Sequence, residues 1–81
     1  MNNKLNRDDY GLTDDMVEII KLIPLEMTQA EISERTGVNV HTVRSNIALM
    51  YELFDVESNV GLTRVSLSLG YFVERRTWSR I

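Results

Sequence analysis

Apolar residues recur at helical spacing in four successive stretches of the chain, each bounded by residues that start or stop helices. Met16, Val17, Ile19, Ile20 and Ile23 mark the first. Thr13 is placed to cap it, Asp14 and Asp15 sit against the positive end of its dipole, and Leu12 with Val17 forms a hydrophobic staple. Pro24 stops it by removing a backbone donor and crowding the preceding turn. The second begins at Thr28-Gln29-Ala30-Glu31, a capping box with Met27 and Ile32 as its staple, and ends at Gly37, where a left-handed residue is wanted. Asn39 then caps a third helix, Val40 to Phe54, whose apolar stripe is Val43, Ile47, Met50 and Phe54.

Two helices joined by so brief a glycine-containing turn predict a helix-turn-helix unit. Ser58 opens a fourth helix that reaches about Leu69, with Gly70 as its stop. This helix carries two apolar stripes. Leu62, Val65 and Leu69 form one; Val60, Arg64, Leu67 and Tyr71 form the other on nearly the opposite side. A second apolar face calls for a second partner, either a twin subunit or the chain's own C-terminal tail. The predicted organisation is all-α: a flexible arm over 1–11, a four-helix domain over 12–72 and a tail over 73–81. The tail combines Arg75, Arg76 and Arg80 with Trp78, and its conformation stays open.

The chain has 81 residues, 43% hydrophobic and 26% charged, an ordinary globular mixture with room for one domain. A core this small is only marginally stabilising, so oligomerisation is expected. With no cysteine and a single histidine, neither a disulfide framework nor a metal site is expected, and no cofactor. The start, Met1 to Asp9, is too polar for a signal peptide, and no apolar run approaches the ~20 residues of a membrane span, which points to the cytoplasm. Catalysis is not expected. No glycine-rich phosphate loop is present, and the paired acids Asp8-Asp9 and Asp14-Asp15 fall in the arm and in a helix cap.

The formal net charge of -3 counts against nucleic-acid binding, but its distribution softens the objection. Residues 1–36 hold eight acids against four Lys/Arg, and no carboxylate occurs between Arg35 and Tyr51. On the third helix His41, Arg44, Ser45, Ala48 and Glu52 fall within about 100° of arc, facing away from the apolar stripe. Only Glu52, at the far end, is acidic, so the first two turns of that face can approach a polyanion without repulsion.

From Leu12 to Phe72 the order of residues resembles the C-terminal DNA-binding domain of LuxR/GerE-type regulators, including the NarL and TraR branches. The residues that carry the resemblance are Leu12-Thr13, Glu31-Ile32, Thr42-Val43-Arg44 and Phe54-Asp55-Val56-Glu57-Ser58, in register with the family's corresponding blocks. It implies a four-helix domain whose third helix enters the major groove and whose fourth pairs with its twin across a two-fold axis. Carried over by position, base contacts fall on Arg44, Ser45 and Ala48. Phosphate contacts fall on Thr28, Asn39, His41 and Thr42, and the dimer interface on Val60, Arg64, Leu67 and Tyr71. The chemistry suits the division. Arginine donates twice to guanine O6 and N7, serine donates or accepts, and alanine offers a methyl surface to thymine.

Ala30, Asn46, Leu53 and Asn59 stand where the family often has basic or phosphate-directed residues, so fewer counterions are released and weak binding with a shallow salt dependence is expected. The function expected is that of a stand-alone, homodimeric, sequence-specific regulator of transcription, a repressor, on an inverted-repeat operator in double-stranded DNA. The alternative is an anti-activator that pairs through residues 58–70 with a full-length LuxR-type regulator and removes it from DNA.

Overall fold

A computed structural model describes residues 7–71 of the chain, and all of its regular elements are helical. They are α1 (Arg7–Tyr10), α2 (Asp14–Leu22), a 3-10 turn (Ile23–Leu25), α3 (Gln29–Thr36), α4 (Val40–Phe54) and α5 (Asn59–Ser68). The four longer helices lie where the apolar periodicity places them. Phe72 and the tail with Arg75, Arg76, Trp78 and Arg80 fall outside the described residues. Among the described residues no helix is long and apolar enough to cross a membrane.

The helix starts follow from local hydrogen bonding. Met16 N–H donates to Thr13 Oγ1 at 3.2 Å, and His41 N–H donates to Asn39 Oδ1 at 2.8 Å. In the capping box Glu31 N–H donates to Thr28 Oγ1 at 3.1 Å while Thr28 N–H donates to Glu31 Oε1 at 2.8 Å. Each such cap stabilises its helix by about 1 kcal/mol. Ser58 differs. It occupies the N-cap position of α5, but its side chain makes no capping bond. Instead the Tyr51 hydroxyl donates to Asn59 Oδ1 at 2.7 Å, tying the first turn of α5 to α4.

The ends are set by left-handed residues. Gly37 (φ 79°) closes α3, and its N–H donates to Ser33 O at 2.8 Å. Asp55 (φ 56°) closes α4, where Val56 N–H reaches Tyr51 O at 2.9 Å. Gly70 (φ 83°) follows α5, with Tyr71 N–H donating to Ser66 O at 3.0 Å. Both of the latter are Schellman-type endings, which turn the chain sharply back on the helix. Pro24 does not simply end α2. It sits inside the 3-10 turn, where its missing N–H is of no consequence.

Ile19 and Ile20 of α2, Ile32 of α3, Val43, Ile47 and Met50 of α4, and Leu62 and Val65 of α5 form one buried core together with Ile23. Each helix therefore contributes the stripe expected of it, and α5 packs closely on the 3-10 turn.

Two expectations are corrected. Residues 7–10 are a helical turn rather than part of an unstructured arm, because the Tyr10 ring packs on Phe54 with centroids 4.8 Å apart, tilted by 51°. An aromatic pair of this kind adds about 0.5–1.5 kcal/mol beyond area burial. Tyr71 does not continue the outer stripe of α5. The helix ends at Ser68, Gly70 redirects the chain, and Tyr71 packs against the core with the Lys21 ammonium 5.4 Å from its ring centroid.

Candidate nucleic-acid interface

The helix-turn-helix unit is α3, the turn Gly37 to Asn39, and α4. Three local bonds hold the turn. Thr36 Oγ1 donates to Ile32 O at 2.8 Å and accepts from Val38 N–H at 3.1 Å, while the Ser33 hydroxyl donates to Val38 O at 2.6 Å. Val43 and Ile47, fully or almost fully buried, press α4 onto the core. The angle at which α4 leaves the turn is thus fixed from both sides.

That anchoring turns the opposite face of α4 outward. His41, Thr42, Arg44, Ser45, Ala48 and Glu52 are all exposed. Thr28 and Asn39 are exposed as well, at the N-termini of α3 and α4, so the structure brings the seven DNA-contact candidates to the helix-turn-helix unit with their side chains open to solvent. Helix N-termini carry amides without intrahelical acceptors and a positive partial charge, both of which favour a phosphate oxygen.

Two features qualify this surface. Glu31 lies beside Thr28 and occupies its backbone N–H, so Thr28 can meet a phosphate only through its hydroxyl, which already accepts from Glu31 N–H and stands next to a carboxylate. Leu49 and Leu53, exposed by 50% and 41%, form an apolar shoulder along one side of the polar face of α4. Ser45 and Glu52 lie between that shoulder and Ala48, so the methyl of Ala48 stands apart from it on the polar face.

The sequence reading did not foresee a contact between α3 and α4. Arg44 Nε–H donates to Gln29 Oε1 at 3.3 Å. Nothing in the spacing marks this pair, because its geometry depends on how the two helices cross.

On α5 the outer stripe is shorter than expected. Val60 is 67% exposed and Arg64 is exposed, but Leu67 is half-buried and Tyr71 has turned inward. Val60 instead borders an open groove of about 430 Å³ with Thr63 of α5 and Ile23, Pro24 and Met27 of the segment after α2. Among the described residues no three of His, Cys, Asp and Glu gather closely enough to hold a metal ion. The chain matches no protein-family model, no curated protein and no solved structure.

Proposed function

We propose that the protein is a cytoplasmic, non-enzymatic regulator of transcription of the LuxR/GerE kind that binds double-stranded DNA as a homodimer, with α4 in the major groove. The observation that carries this reading is the outward face of α4. Arg44 and Ser45 stand exposed on its first two turns, where the helix carries no acidic residue, with the Asn39-capped N-terminus beside them, and Ala48 follows on the next turn ahead of Glu52. In this reading Arg44 donates to guanine O6 and N7, Ser45 and Ala48 meet adjacent base edges, and Thr28, Asn39, His41 and Thr42 position the backbone. The dimer forms through Val60, Arg64 and Leu67, widened by the groove along Ile23, Pro24 and Met27.

Fluorescence anisotropy with a duplex selected from random sequence tests the proposal. Arg44→Ala should abolish specific binding while the circular dichroism spectrum stays that of the wild type. If the wild type retains no duplex at low salt, the proposal is wrong.

A second reading is favoured by the acidic balance, -3 overall, together with the exposure of Val60. Here α5 pairs with the corresponding helix of another LuxR-type regulator and withdraws it from DNA. Capture of such a regulator, lost in Val60→Glu and unaffected by Arg44→Ala, would select it.

A further inference from the structure

Resting on the DNA-binding reading above, we infer that Gln29 is a positioning residue that aims Arg44, so that the guanidinium reads its base end-on through its two Nη groups. Arg44 is exposed and its side chain, unaided, samples many rotamers. Gln29 is half-buried at the first position of α3, inside the Thr28–Glu31 capping box that fixes the backbone there. Its Oε1 accepts the Arg44 Nε–H at 3.3 Å, joining the first turn of α3 to the second turn of α4.

That bond has two chemical consequences. A guanidinium presents five N–H donors in one plane, so an acceptor at Nε fixes the plane and the direction in which the Nη edge points. It also occupies the Nε corner, which removes the side-on Nε/Nη presentation and leaves the end-on fork for guanine O6 and N7. An arginine ordered before it meets the groove loses less rotamer freedom on binding, an advantage of about three- to tenfold in affinity for the matched base alone.

The test compares two duplexes: the one the wild type selects, and the same duplex with the guanine pair at which Arg44→Ala loses discrimination replaced. Gln29→Ala should reduce discrimination between them about three- to tenfold, leaving affinity for the replaced duplex within about twofold. Gln29→Glu keeps an acceptor for Nε but adds a negative charge, so it should weaken both duplexes alike and preserve their ratio. In the DNA-free protein, ¹⁵N relaxation of Arg44 Nε should report a more mobile side chain in Gln29→Ala than in the wild type, while the backbone spectrum confirms the fold.

An equal loss on both duplexes in Gln29→Ala would make Gln29 a phosphate contact and overturn the inference. Unchanged discrimination, or unchanged Nε relaxation, would overturn it too, with the DNA reading intact. A wild type that binds neither duplex overturns the DNA reading and this role with it.

Discussion

Replacing Gly61 by alanine should destabilise the fold, against what its helical position alone dictates. Gly61 lies in the first turn of α5, where an alanine ordinarily gains roughly 0.5–1 kcal/mol over glycine by restricting the unfolded chain. A Cβ built on Gly61, however, meets Val56 Cβ at 2.6 Å, Cγ1 at 2.8 Å and Cγ2 at 3.4 Å. Carbon atoms in ordinary contact stand about 3.5–4.0 Å apart, so the first of these is short by roughly 1 Å.

Rotating Val56 about χ1 moves both Cγ atoms but leaves Cβ in place, so the backbone must yield. Val56 is itself fixed by its N–H bond to Tyr51 O after the left-handed Asp55. Overpacking of this kind costs about 1–3 kcal/mol, which exceeds the propensity gain. The expected net loss is about 1–2 kcal/mol, read from urea denaturation followed at 222 nm. A Val56→Ala background isolates the cause. It deletes the Cγ contacts and keeps the Cβ contact, so Gly61→Ala should still destabilise there, by less. A Gly61→Ala protein as stable as the wild type or more so would refute the packing argument.

Ser66 is fully buried and its hydroxyl finds no partner among the described residues, so Ser66→Ala should raise stability by about 1 kcal/mol in the same assay. Tyr10→Ala, which removes the ring over Phe54, should lower it by about 1 kcal/mol, whereas a truly flexible arm would show no change. Val60→Glu places a charge at the proposed seam and should shift sedimentation from dimer to monomer, with a lower melting temperature as the stabilisation from association is lost; an unmoved dimer would place the interface elsewhere. Because the proposed phosphate contacts include no Lys or Arg and Arg44, the one such cation of each subunit's contact set, is assigned to a base, log K for duplex binding should fall with log salt at a slope no steeper than about -2 per dimer. A slope steeper than about -5 would show that other cations carry the binding.

The sequence by itself determined the elements whose cause lies within a turn or two of chain. Thr13, the Thr28–Glu31 box, Asn39 and Gly37 act on backbone groups a few residues away, and the core stripes of α2 to α5 follow from helical period alone. For the same reason the outward placement of Arg44, Ser45 and Ala48 was legible, since a helix that buries Val43 and Ile47 must expose its other side.

What only the tertiary structure decided depends on the path between helices. Tyr71 left its expected stripe because the left-handed Gly70 turned the chain, and Ser58 was a cap by position without the bond. Tyr10 on Phe54, Gly61 against Val56, and Gln29 beneath Arg44 are contacts between segments whose meeting is set by crossing geometry and by the dihedrals of Asp55 and Gly37. Periodicity reports which way a side chain faces on its own helix; it carries no information about which neighbour stands opposite.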